Sequence, residues 1–202
     1  MDNICKVSPC TPHFYSSTKQ GFTLIELIVA IAIIAILSTI ALPKMSVFIA
    51  KMRVDNEINE IQRLLLIARN MAINTGQNTT ICPLNGVNCT NDWQNPISVF
   101  TNDSNTIDND RYNAATEQLV KVKGGSKIGD TLQFTIGSPI IYTPTGRLLS
   151  PTSNSAFKYC PQEEPDSSRG IDLSISGRSY TSSDSDGDGK DEDRDKNSIV
   201  CS

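Results

Sequence analysis

Residues 19–44 read KQGFTLIELIVAIAIIAILSTIALPK, and this stretch decides the fold. From 27 to 42 it holds 16 consecutive residues without a charge. Extending it back to Phe22 gives 21 residues with a single acid, Glu26. At about 1.5 Å per residue a helix of that length covers roughly 30 Å, the thickness of a bilayer's hydrocarbon core. Lys19 precedes the run, and Lys44, Lys51 and Arg53 follow it. A secretory signal peptide has a shorter apolar region that ends in a small-x-small cleavage site. Here Pro43-Lys44-Met45 is reached directly, so the plainest reading is an N-terminal signal anchor. Glu26 calls for a sharper one, because a carboxylate inside an apolar span is costly and usually has a functional partner.

Outside this block the chain is ordinary in size and unusual in distribution. Its 202 residues make one domain, or one domain with an appendage. With 38% hydrophobic and 20% charged residues, disorder over the whole length is excluded. A net charge of −4 argues against a generally basic nucleic-acid binder. One histidine rules out a His-rich metal site and leaves little for histidine acid–base catalysis. The chain has no nucleophile elbow, no phosphate-binding glycine loop and no HExxH, so nothing supports an enzyme.

Beyond Pro43 the apolar residues become a stripe. Val47, Val54, Ile58, Ile61, Leu65, Ala68 and Ala72 recur every three or four positions, with Arg53, Glu57, Glu60, Arg63 and Arg69 elsewhere. Asn74-Thr75-Gly76 is a helix stop. The expected helix runs from about 22 to 74, apolar all round in its first half and amphipathic in its second. A bare anchor has no need of the second half, whereas a domain packed on the stripe does. From Gln77 onward short apolar or alternating runs are bounded by Gly, Pro, Asn and Asp. Strands are expected at 79–82, 97–101, 118–122, 131–136, 140–143, 147–149, 157–160 and 171–175. No helical pattern follows any strand, so parallel βαβ units are excluded. The fold class is α+β, with a long N-terminal helix packed on an antiparallel sheet.

Lys19-Gln20-Gly21-Phe22-Thr23-Leu24-Ile25-Glu26 resembles the recognition site of type IV prepilins. Further along, Ala68-Arg69-Asn70, Gly76-Gln77, Cys82-Pro83, Cys89, Trp93, Val99-Phe100 and Asp103 resemble the GspH/FimT family of minor pilins and pseudopilins. So do Tyr142-Thr143-Pro144-Thr145-Gly146-Arg147 and Ile175-Ser176-Gly177-Arg178. The resemblance covers residues 21–178 and implies a type IV pilin fold. It implies a leader over 1–21, a transmembrane helix over 22–42, an amphipathic continuation over 43–76 and a periplasmic β-rich domain over 77–202. A prepilin peptidase would cut between Gly21 and Phe22, and the new Phe22 amine would be methylated. Glu26 would pair with a neighbouring subunit's N-terminal amine, relieving two charges that are each unfavourable in lipid. Pro43 stands where pilins carry a helix-bending proline. The implied location is the bacterial inner membrane, single-pass, and then a pilus or pseudopilus. The implied partners are other pilins or pseudopilins, the inner-membrane assembly platform and membrane lipid. Cys5, Cys10 and His13 lie in the leader and receive no role, and an overextended start codon accounts for them equally well.

Without the leader four cysteines remain: Cys82, Cys89, Cys160 and Cys201. The periplasm is oxidising, and four cysteines allow three pairings. Cys82–Cys89 with Cys160–Cys201 is favoured because it is local at one end and ties the C-terminus back at the other. Zinc has no CxxC pair or histidine to support it.

The acidic tail at 183–197 carries seven acids and three bases. It reads either as a solvated loop or as a calcium loop. For calcium, Asp184, Asp186 and Asp188 alternate, Gly189 follows at the sharp turn, and Asp195 stands at the closing position of a twelve-residue loop. Asp191 stands where an aliphatic residue belongs, and the closing acid is Asp instead of Glu. No cofactor is required, and calcium is the one candidate ion.

The expected function is a structural filament subunit that helps initiate or cap assembly of a type IV pilus or a type II secretion filament. The alternative is a DNA-binding minor pilin for natural transformation. Some members of the family carry a C-terminal Gly-Arg-x-Arg motif for DNA. Here Gly177-Arg178-Ser179-Tyr180 lacks the second arginine, and the acidic run that follows would repel phosphate.

Overall fold

The computed structural model describes residues 21–103, 110–137, 139–149 and 155–201, and of Pro43 the backbone only. Two compact units form, Met1–Leu42 and Pro43–Ser202, and helix α1 (Leu24–Thr75) contributes residues to both. The leader up to Gln20 lies outside the described residues, as does the side chain of Pro43. The helix assignment is continuous across Pro43.

In the first unit every position from 22 to 42 is exposed except half-buried Ser38. Between 27 and 42 its two hydroxyls stay inside the helix. Ser38 donates to the Ile34 carbonyl at 2.8 Å and Thr39 to the Ile36 carbonyl at 2.7 Å. No side-chain polar group between 27 and 42 therefore needs water. By length and composition α1 can cross a membrane.

In the second unit the stripe is the spine of the core. Val54, Ile58, Ile61, Leu65, Ala68 and Ala72 are buried as expected, joined by Ala50 and Leu64, while Val47 is only half-buried. α1 ends at Thr75, and Gly76 (φ 70°) caps it by donating to the Ala72 carbonyl at 3.1 Å.

Nine strands are present among the described residues, all paired antiparallel, in two sheets instead of one. The first sheet has the order β2 (Asn88–Cys89), β1 (Thr79–Asn85), β3 (Ile97–Thr101), β4 (Leu119–Lys123), and β6 (Ile140–Tyr142) also pairs with β1. The second has the order β5 (Thr131–Phe134), β7 (Ser155–Cys160), β8 (Arg169–Leu173), β9 (Ser179–Thr181). β3 is where the alternation placed it, and most others shift by one or two residues. The expected strand at 147–149 is only an isolated bridge between Leu148 and Tyr142. The two-residue β2 and the three-residue β9 were too short to stand out as apolar runs.

One core joins both sheets to the helix. Trp93 meets Phe157 edge-on at 4.9 Å between centroids and Phe134 at 5.4 Å. Arg53 and Glu57, read from sequence as part of the polar face, instead flank the buried stripe. Arg53 Nε lies 2.8 Å from Asp130, and Glu57 lies 2.6 Å from the ammonium of Lys123, which is 2% exposed. Tyr159 donates its hydroxyl to Asp130 at 2.6 Å, and burial together with that bond pushes its pKa far up.

Candidate functional site

The first candidate site is the start of α1. Glu26 is the third residue of the helix and accepts from the Thr23 backbone N–H at 2.9 Å and from the Thr23 hydroxyl at 3.0 Å. The Glu26 N–H donates back to the Thr23 hydroxyl oxygen at 3.3 Å. This is a reciprocal capping box, and its T-x-x-E signature lies within the processing motif itself. Glu26 thus has a partner within its own chain. Gly21 and Phe22 precede the helix and are exposed. A Cβ on Gly21 would meet nothing within 4 Å, so packing does not require glycine there.

The second candidate site is the acidic loop. Carboxylate oxygens of Asp184, Asp186, Asp188 and Glu192 lie within 4.8 Å of one another. Asp195 does not join them, and its backbone N–H donates to Asp193 at 2.9 Å. Glu192, at the ninth position counted from Asp184, takes the place expected for Asp195. The same twelve-residue spacing offers a ligand at the ninth position, although Asp195 at the twelfth was expected instead. Ser183 and Glu192 are cross-bridged through both backbone N–H groups, at 3.3 and 3.1 Å. That bridge closes the loop.

Next to the loop, Asp191 accepts from Arg169 Nε at 2.7 Å and from the Ser182 hydroxyl at 2.7 Å. Arg169 also reaches Asp55 of α1 at 2.5 Å. Lys190 pairs with Asp166 of a short 3₁₀ turn at 3.0 Å, and the hydrogen bond and charge of Asp166 raise its pKa. Arg194 lies over the Tyr180 ring at 4.5 Å.

Arg178 is exposed and closes the β8–β9 turn. Its N–H donates to the Ser174 hydroxyl at 3.1 Å, and its carbonyl accepts from the Ser174 N–H at 2.9 Å. The preceding Gly177 (φ 76°) sits where a Cβ would lie 2.1 Å from the Gly146 carbonyl oxygen. The turn at Thr143–Gly146 is therefore in contact with the turn at Gly177. Two motifs whose contacting glycines stand 31 positions apart in sequence form one stacked pair of turns. Arg69 ties α1 to it by donating to the Gly146 carbonyl at 3.0 Å. Gly177 and Arg178 thus have a packing reason to be present that is independent of any ligand.

Both favoured disulfides form. Cys82–Cys89 closes seven residues across β1 and β2, and Cys160–Cys201 closes 41 residues that include the acidic loop.

An apolar helix entered through a processing motif, continuing into an amphipathic half packed on antiparallel sheets, defines a pilin-type subunit. A family model for a prokaryotic N-terminal methylation motif matches residues 16–42. A family model for the type II transport protein GspH matches residues 57–177. The chain belongs to the GspH family, whose members are pilin- and pseudopilin-type structural subunits that assemble with others of their kind in filaments. Among solved structures it is similar to the type IV minor pilin FimU of Pseudomonas aeruginosa in two crystal forms, 20% identical in each. The TM-scores are 0.50 and 0.48, over 66% and 64% of this chain and 90% and 92% of those. It is also similar to the minor pseudopilin EpsH from the type 2 secretion system of Vibrio cholerae, at 14% identity, TM-score 0.45, over 64% of this chain and 95% of that one. The likeness at 0.50 shows a shared fold. No curated protein matches the chain.

Proposed function

We propose that the chain is a non-enzymatic minor pilin or pseudopilin that helps initiate or cap a type IV pilus or type II secretion filament. Its apolar half-helix anchors it in the bacterial inner membrane, with the β-rich unit in the periplasm. Prepilin peptidase removes the leader after Gly21 and the Phe22 amine is methylated. The assembly platform then draws the subunit from lipid into contact with other pilins. The observation that carries this reading is Glu26, the one charge in an exposed apolar run and the fifth residue after the Gly21–Phe22 bond. In lipid its charge favours contact with a neighbour's N-terminal amine over isolation. The Thr23 bonds keep the carboxylate at the helix start until that contact forms.

The test is processing followed by assembly. Gly21→Ala fits the structure and should leave full-length precursor in the inner membrane. Mature protein beginning anywhere but Phe22 overturns the reading. Deletion of the gene, scored for piliation, secretion and transformation, separates pilus from secretion filament. DNA binding has less support. Arg178 is exposed, but its motif is explained by turn stacking, and the carboxylates of the acidic loop follow it in sequence. A filter-binding assay of duplex DNA on wild type and Arg178→Ala should show equal, weak retention.

A further inference from the structure

We propose that the loop at 184–192 is a calcium site, with Asp184, Asp186, Asp188 and Glu192 as its carboxylate ligands. Three exposed aspartates alone would be only a charged surface. The observation that points to an ion is Glu192. Its side chain is 5% exposed, and its two oxygens are treated differently. Oε2 accepts from the Ser185 N–H at 2.7 Å and the Ser185 hydroxyl at 2.8 Å. Oε1 is buried and has no hydrogen-bond donor among the described residues. A buried carboxylate oxygen without a donor is costly, and one oxygen of the same carboxylate lies within 4.8 Å of those of the three aspartates, which adds repulsion. A cation among the four removes both costs.

The chemistry of the donors selects the ion. All four are hard carboxylate oxygens, with no cysteine or histidine in the group, which excludes a zinc-type site. Calcium holds its oxygens at 2.3–2.6 Å, so ligands opposite each other stand about 4.6–5.2 Å apart. The observed spread within 4.8 Å fits such a sphere. Magnesium requires a smaller octahedron and commonly takes only one or two carboxylates. Two of the three bases in the tail at 183–197 are turned to other partners, Lys190 chiefly to Asp166 and Arg194 to Tyr180. Asp191, inside the loop, faces away from the four ligands toward Arg169 and through it Asp55. Calcium would therefore also firm the link between the loop and α1.

This site is independent of the filament reading, because its test measures binding by the isolated chain. The full-length chain in detergent, stripped with EDTA, is titrated with calcium chloride and with magnesium chloride by calorimetry. One saturable calcium per chain is expected, with magnesium at least tenfold weaker. Glu192→Gln and, separately, Asp186→Asn/Asp188→Asn should each weaken calcium at least tenfold. The double variant changes exposed residues only, so it reads the site even if the buried substitution disturbs folding. No calcium binding at millimolar concentration, unchanged affinity in the double variant, or magnesium binding as tight as calcium would each overturn the proposal.

Discussion

The two halves of α1 draw on the same aliphatic residues and meet opposite fates. Ile33 is 53% exposed and Ile58 is 1% exposed, although both sit in one continuous helix. Helix propensity does not separate them. The distribution of charge does. Between 27 and 42 no polar side chain stronger than a hydroxyl marks any face, so the helix has no preferred protein side and suits lipid or other apolar helices. From Lys51 onward charges fall between the apolar positions and give the helix a single buried stripe. Those charges also act directly, since Arg53, Asp55 and Glu57 each grip a residue of the β-rich part. The contrast teaches that the same hydrophobic side chains stabilise this fold only where polar neighbours direct them.

The strongest way to break that contrast is to truncate one aliphatic residue in each half. Trp93 is the one tryptophan and lies in the core, so its emission during urea titration of the detergent-solubilised chain reports the second unit. Ile58→Ala should cost about 4 kcal/mol through lost burial and a residual cavity. Ile33→Ala should leave the Trp93 midpoint unchanged. Equal losses would mean that the first half also stabilises the β-rich unit.

A second test concerns the charges. Glu57→Ala leaves the buried Lys123 ammonium with the Gly124 carbonyl at 3.0 Å and, as its one remaining carboxylate among the described residues, Glu60 at 4.0 Å, and should cost about 3 kcal/mol. Adding Lys123→Met should recover most of the loss, because the cost lies in the unpaired charge. If the double variant is as unstable as Glu57→Ala, the pair is a packing feature and not an electrostatic one.

At the other end of α1 the capping box and the lone charge can be separated. Glu26→Gln keeps a side chain able to cap, whereas Glu26→Leu loses the cap as well, about 1 kcal/mol at the helix start. Neither should move the Trp93 midpoint. Filament incorporation, measured by immunoblot of sheared filaments, should fall in both variants if the charge pairs with a neighbour's amine. Wild-type incorporation of Glu26→Gln would assign Glu26 to capping alone.

The fold was legible where periodicity was strong. The stripe at 54–72, the stop at Gly76 and the fully buried β3 follow directly from the residue pattern. The split into two sheets was not, because short strands such as β2 and β9 gain their identity from partners distant in sequence. At the helix start the N-terminal methylation motif was legible by its order of residues, while the capping box within it went unread. In the acidic loop the three alternating aspartates were read, while Glu192, at the ninth position that the same spacing offers, was passed over in favour of Asp195. The partners of Arg53, Asp55 and Glu57 were likewise invisible, since each pair crosses from the helix to a residue far along the chain.

The smallest expected effect is at the exposed edge of the same helix. Glu163 accepts from Lys127 at 3.2 Å and from Arg53 at 3.3 Å, and these bonds, led by Lys127, hold its pKa below the ordinary 4.5. A carboxylate depressed in the folded state contributes stability that is present above its unfolded value and is lost as pH falls through the folded one. The contribution therefore holds at neutral pH and disappears on acidification below about 4.5. Glu163 is fully exposed, so water and salt screen both contacts, and Arg53 keeps Asp130 when Glu163 is removed. Glu163→Gln should leave the Trp93 urea midpoint nearly unmoved at pH 7, and any difference from wild type should shrink further at pH 3.5. A loss at pH 7 comparable to that of Glu57→Ala would show that the exposed edge of α1, and not only its buried face, holds the β-rich unit to the helix.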